Sequence, residues 1–256
     1  MGVLEDFRLD GKVVLVTGAA RGLGRGIAQG LAEAGADIVA LDVVETKELG
    51  EEVSALGRKF HEISHDLKEV KSKGAAGIVD ECVEALGRLD ILVNNAGIIR
   101  RTPALEFPEE DWEDVIRINL SSAFYMSQAA ARRFVDAGRG GKIINTASVL
   151  SYEGGILVPS YAAAKAGISN LTRSLANEWA SLGINVNAIA PSYYETSMTS
   201  ALRADAERSE ALLTRIPAGR WGTPEDLKGA AVFLASDASS YVHGATIPVD
   251  GGWLGR

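Results

Sequence analysis

Short runs of β-branched and aliphatic residues alternate along the chain with longer stretches whose apolar positions recur at helical spacing. Continuous apolar runs suit strands buried on both faces, and their alternation with helices is the pattern of βα units that build a parallel sheet covered on both sides. Lys12 to Thr17 (KVVLVT) predicts a first strand, residues 22–34 a helix, and Asp37 to Asp42 (DIVALD) a second strand. Further strands are predicted at 59–64, 89–94, 141–147, 184–190 and 245–249, each after a helical stretch. The expectation is an α/β protein with a doubly wound, seven-stranded parallel sheet.

One predicted helix is poorly supported by its own residues. Gly74 and Gly77 interrupt 67–87, and each costs up to about 1 kcal/mol relative to Ala inside a helix. No linker, composition shift or internal repeat divides the 256 residues, so a single domain over 1–256 is expected, with a helical flap around 192–215. Apolar residues at 46% and charged residues at 23% exclude disordered, collagen-like and disulfide-scaffold classes. Cys82 is the only cysteine, which removes internal disulfides and zinc ribbons and fits a reducing, cytoplasmic setting. The start shows no export signal, and no apolar run is long enough to cross a bilayer. A net charge of −8 repels nucleic acid and anionic lipid, so neither is an expected partner.

Chemistry first enters after the first strand, at Thr17-Gly18-Ala19-Ala20-Arg21-Gly22-Leu23-Gly24. Glycines at this spacing let the backbone turn tightly and approach a pyrophosphate at the next helix's N-terminus, where free N–H groups and the dipole favour an anion. Asp42 closes the second strand, where a carboxylate accepts hydrogen bonds from an adenosine ribose. Together these predict a Rossmann fold that binds a nicotinamide dinucleotide through Gly18, Arg21, Gly22, Leu23, Gly24 and Asp42. Asp42 opposes a 2′-phosphate by about 1–4 kcal/mol, which favours NAD over NADP, although Arg21 argues the other way. Asp66 and Leu67 are further cofactor candidates; Asp66 has the alternative of capping the following helix.

Asn94-Asn95-Ala96-Gly97 ends the fourth strand, and Ser148 follows the fifth. Open α/β sheets collect ligands at this carboxyl edge, which brings Asn94, Ala96 and Gly97 into the cofactor set. Tyr161 and Lys165 lie four apart on a helix and share a face, so the ammonium can favour the phenolate and make Tyr161 a proton carrier.

TGAARGLG at 17–24, NNAG at 94–97, Asn119, Ser148, Tyr161-Ala162-Ala163-Ala164-Lys165 and Pro191 through Thr196 fall in one order that resembles the short-chain dehydrogenase/reductase family over nearly the whole chain. The resemblance implies that Tyr161 exchanges a proton with substrate, that Ser148 hydrogen-bonds the reacting oxygen, and that Lys165 binds the nicotinamide ribose. It further implies that Asn119 anchors a relay water and that Ile189, Pro191 and Thr196 approach the nicotinamide. A homotetramer with the segment near Trp253 at an interface is also implied. Ser192 departs from the family's usual Gly, and would be strained if that backbone needs a positive φ. Such a change is either a family variant or an engineered pocket.

Segments outside these motifs, such as RIPAGRWG at 215–222 and DGGWL at 250–254, are similar to members that act on sugar acids. A sugar acid calls for a cation, and Arg100 and Arg101 are the candidates, with solvated loop charges as the alternative. Tyr152, Tyr193 and Tyr194 can stack on a sugar or simply pack. His61, His65 and His243 lack metal-ligand spacing, so no metal is expected, and Cys82 reads as a core residue. Other substrates in view are another sugar, a polyol or a 3-oxoacyl thioester; a nucleotide-binding protein without turnover is the rival from a different class.

Overall fold

The computed structural model describes residues 2–256. Seven strands, β1 (Val13–Thr17), β2 (Asp37–Asp42), β3 (Phe60–Ser64), β4 (Ile91–Asn94), β5 (Gly141–Thr146), β6 (Ile184–Pro191) and β7 (Thr246–Val249), form one sheet in the order β3-β2-β1-β4-β5-β6-β7. Every pairing is parallel, as the runs of Val, Ile and Leu predict. Val14 of the buried β1 lies between Ile38 and Ile91, so the chain reverses its winding at the β1–β4 boundary, where the carboxyl ends open a crevice.

The covering helices are α1 (Gly22–Glu33), α2 (Lys47–Ala55), α3 (Ser72–Leu86), α4 (Glu109–Ile116), α5 (Ser122–Asp136), α6 (Pro159–Trp179), α7 (Ser200–Ala204), α8 (Ala206–Arg215) and α9 (Glu225–Ala235). Apolar faces of α1, α2 and α9 bury one side of the sheet; those of α3, α5 and α6 bury the other. Short α7 and α8 follow β6, where the flap is predicted. Among the described residues no helix is long and apolar enough to cross a membrane.

The boundaries differ from expectation where side chains compete with the backbone. Predicted strand 89–94 begins at Ile91, because the Asp90 carboxylate accepts from the Val13 amide (2.9 Å) and from Arg88 (2.6 Å). Asp66 does not cap a helix. Its carboxylate accepts from Lys68 N (2.8 Å) to close a turn, and α3 starts only at Ser72, with Lys71 at the cap. Gly74 and Gly77 leave α3 intact, since Ala75, Ile78, Val79 and Cys82 bury one continuous stripe. Burial also pushes the Cys82 thiol up to about 12, which keeps it an inert packing group.

Polar side chains stitch the sheet to the second helical layer beneath the crevice. Asn94 Nδ2 donates to Asn145 Oδ1 and Ser127 Oγ, both at 2.9 Å. Asn145 Nδ2 donates to the Thr172 hydroxyl (2.9 Å), which donates to Ile168 O (2.8 Å). Phe134 of α5 packs nearby, fully buried against the start of β5. Phe134→Ala should lower the unfolding free energy by about 3–5 kcal/mol, read from urea denaturation; a loss below about 1 kcal/mol would mean the cavity collapses.

Candidate active site

Loops at the carboxyl edge enclose a cleft of about 520 Å³. Gly18, Arg21, Gly22, Leu23 and Gly24 line one wall, Asp42, Asp66 and Leu67 the next, and Ala96, Gly97, Tyr161, Lys165 and Thr196 the far end. The loop after β1 fits so closely that side chains are excluded. A Cβ on Gly24 would stand 2.0 Å from Gly18 O and 2.4 Å from Asn95 Nδ2, and one on Gly18, at φ +66°, 2.8 Å from Ala96 Cα. Asn95, outside the predicted set, buttresses this loop by donating from Nδ2 to Thr17 O and Gly18 O, both at 3.1 Å. The Thr17 hydroxyl accepts from Asn95 N and Ala96 N at 3.0 Å. These glycines form the cradle that a pyrophosphate needs, so the residues present fit a dinucleotide.

Asp42 faces the same cleft and holds it in shape. Oδ2 accepts from Ala20 N (2.9 Å), while Oδ1 accepts from Val43 N (2.8 Å) and Val44 N (3.2 Å). His65 lines the cleft beside Asp66, where the sequence suggests only a structural or surface residue. His61 and His243 instead face Glu81 and Asn185, each at 3.2 Å.

At the far end Lys165 is buried, 4% exposed, and its ammonium donates to Thr146 O at 2.6 Å. It stands 5.6 Å from the centroid of the Tyr161 ring. Burial without a carboxylate beside it lowers Lys165 to about 8. Lys165 stands beside Tyr161, while burial raises the phenol above its ordinary value and the Ser148 hydroxyl and then the Arg101 charge oppose that rise. Ser148 Oγ also accepts from Leu150 N (3.1 Å), capping the short 3₁₀ turn Val149–Ser151, and Ser151 Oγ donates to Lys165 O (2.6 Å).

Other expected residues divide. Asn119 lies in a five-residue π-turn, Arg117–Ser121, joining α4 to α5, and its amide bonds both ways to one residue: Oδ1 accepts from Ile98 N and Nδ2 donates to Ile98 O, both at 2.8 Å. Asn94 sits below the cleft in the network described above, and Pro191 and Ile189 are buried in β6. Ser192 carries no strain. Its φ is not positive, and its hydroxyl donates to Asp250 O (2.9 Å).

Arg100 lines the cleft but is paired with Asp111 at 3.2 Å. Arg101 has no carboxylate partner among the described residues; it donates to Met198 O (3.2 Å), and its charge reaches both Tyr161 and Tyr193. Tyr193 packs against Trp221 and Trp253, with centroids 5.9 and 4.7 Å away, while Tyr152 stays exposed. Tyr194 is a packing residue, 4% exposed, with its hydroxyl donating to Val249 O (2.7 Å). Trp253 is 3% exposed and buried within its own chain.

Known proteins are similar to this chain over nearly its whole length. Residues 18–254 match the family model described as enoyl-(acyl carrier protein) reductase. The 2-dehydro-3-deoxy-D-gluconate 5-dehydrogenase of Dickeya dadantii is 57% identical, covering 99% of this chain and 100% of that protein. The Bacillus subtilis enzyme of the same name is 50% identical over the full length of both. A solved gluconate 5-dehydrogenase from Burkholderia cenocepacia, in complex with NADP and tartrate, superposes with a TM-score of 0.94 at 42% identity, covering all of both chains. Matched over nearly its whole length by the family model and by these relatives, the chain belongs to the short-chain dehydrogenase/reductase family.

Proposed function

We propose that the chain is an NAD(H)-dependent oxidoreductase that interconverts a secondary alcohol and a ketone on a sugar acid, as 2-dehydro-3-deoxy-D-gluconate 5-dehydrogenase. The observation that carries this reading is the Tyr161 phenol beside the buried Lys165 ammonium at one end of the cleft, with the exposed Arg101 charge, outside the cleft lining, reaching the phenol. A pure binder has no need of the phenol and ammonium together. A sugar acid presents a carboxylate that a guanidinium can grip bidentately.

Tyr161 passes a proton to the substrate oxygen in reduction and takes one in oxidation. Burial raises the phenol above its ordinary value, which favours the protonated form; the Ser148 hydroxyl and Arg101 lower the cost of the reverse step. Ser148 hydrogen-bonds the same oxygen. Lys165 has N–H groups beyond the one given to Thr146, and these hold the nicotinamide ribose. A bound nicotinamide supplies the hydride acceptor or donor. Gly18, Arg21, Gly22, Leu23, Gly24, Asp66, Leu67, Asn94, Ala96, Gly97, Pro191 and Thr196 hold or brace the dinucleotide.

Asp42 supports NAD: a 2′-phosphate beside it brings like charges together, whereas ribose hydroxyls donate to it. The reading for NADP rests on Arg21, which lines the same cleft, and on the NADP bound to the Burkholderia cenocepacia relative. The proposal extends to a cytoplasmic homotetramer, supported by the lone cysteine and the family resemblance.

A steady-state panel of sugar acids, neutral sugars and acyl thioesters with NADH and NADPH tests this. The sugar acid with NADH should give the highest kcat/KM, and Tyr161→Phe should cut turnover by at least about 100-fold while NADH still binds by fluorescence titration. Full activity in that variant would refute the proton role. Arg101→Met should raise KM about 10- to 100-fold for the acid and little for its neutral analogue. Arg100→Met, which loses a cation already paired, should do less; equal effects on acid and neutral sugar would remove Arg101 from recognition.

Lys165 makes a pH-dependent contribution to stability. Its folded value near 8 lies below the ordinary 10.5, so between those values the unfolded chain holds more protons and stability rises with pH. The burial cost is complete below pH about 8. Lys165→Met should therefore abolish turnover yet raise the unfolding free energy at pH 7 by about 1–3 kcal/mol, allowing for the lost Thr146 bond. Urea denaturation should show that gain shrinking toward pH 10, and a pH-independent difference would contradict the assignment.

A further inference from the structure

Seven residues, Asp250 to Arg256, lie against three separate segments on the substrate side of the sheet. After β6, the Ser192 hydroxyl donates to Asp250 O at 2.9 Å. The Trp253 indole N–H donates to Glu153 Oε2 at 2.9 Å, and Glu153 follows closely on the 3₁₀ turn that Ser148 caps. Arg256 donates to Thr214 O (3.0 Å) and Arg215 O (3.3 Å), the closing carbonyls of flap helix α8. Asp250 fixes the segment itself by accepting from Gly252 N and Leu254 N, both at 2.9 Å.

Trp253, Glu153 and Arg215 form a closed triangle. The Arg215 guanidinium lies 3.9 Å from the Trp253 ring centroid and 3.9 Å from Glu153 Oε1, while Glu153 accepts from the indole. Each member is held by the other two, so removing one leaves the remaining pair without its fixed geometry. The triangle rests on Val149, Ile216 and Tyr193, and none of its members lines the nucleotide cleft. We propose that Trp253 is a positioning residue which, through Glu153 and Arg215, holds flap helix α8 against the Ser148 turn and so sets the substrate side of the pocket without affecting nucleotide binding. The inference rests on the sugar-acid reading only for the substrate used to measure it.

The test compares Trp253→Phe, which keeps a ring but loses the N–H, with Glu153→Ala and Glu153→Gln in the full-length protein. Trp253→Phe and Glu153→Ala should raise KM for the sugar acid about tenfold, the change expected when one hydrogen bond to a charged acceptor is lost. In both, kcat and the Kd for NADH should stay within about twofold of wild type. Glu153→Gln still accepts from the indole and should recover most of the lost KM. Trypsin should cut after Arg203 and Arg208 faster in Trp253→Phe and Glu153→Ala than in wild type, without substrate present. Unchanged KM with unchanged proteolysis overturns the proposal, as does a parallel loss of KM, kcat and NADH binding. If wild type fails to turn over the sugar acid, the function proposed above fails; the proteolysis comparison alone then decides the tie, an unchanged cutting rate overturning it.

Discussion

A nearly buried lysine ammonium at the end of the cleft sets the terms for everything around it. Lys165 is 4% exposed and meets a backbone carbonyl rather than a carboxylate, so its position depends on the frame that carries it. The frame is visible. Thr146 ends a strand in the middle of the sheet, Ser151 Oγ ties the preceding turn to the Lys165 carbonyl, and the chain from Asn94 through Asn145 to Thr172 locks strands to α6 below. A buried polar network whose members are all satisfied rigidifies its surroundings, and this one fixes the helix on which Tyr161 sits one turn before the lysine.

That rigidity divides the molecule into two working halves. Toward β2, backbone and glycine shape a wall that excludes side chains, and Asp42 and Asn95 hold the wall with hydrogen bonds to main-chain groups. Toward β6, side chains dominate: unpaired Arg101, the aromatic group around Tyr193 and the flap helices. The first half has the shape of a fixed cradle, while the second is built from side chains.

The strands and glycine loop were legible because they rest on periodicity and local geometry: a run such as Val13–Thr17 has no alternative to burial on both faces. Tyr161 and Lys165 were legible for the same reason, being one helical turn apart. Side-chain pairing across long separations was not. Arg100 and Arg101 are identical neighbours, told apart by distant partners, Asp111 for the first and Met198 O for the second. Adjacent Tyr193 and Tyr194 read alike, yet one joins an aromatic group and the other reaches Val249. Asn119 gave no sign that its amide would be spent on Ile98. The indole bond between Trp253 and Glu153 spans 100 residues, and no local pattern encodes it.

Three main-chain amides converge on the carboxylate of Asp42, from Ala20 on one side and from Val43 and Val44 on the other. The residue proposed to read the ribose thus also serves as a pin joining two loops. Redesigning the protein for a different coenzyme by exchanging this side chain would release both loops at once, so changed selectivity and a preserved binding wall are mechanically inseparable here unless another acceptor replaces the pin.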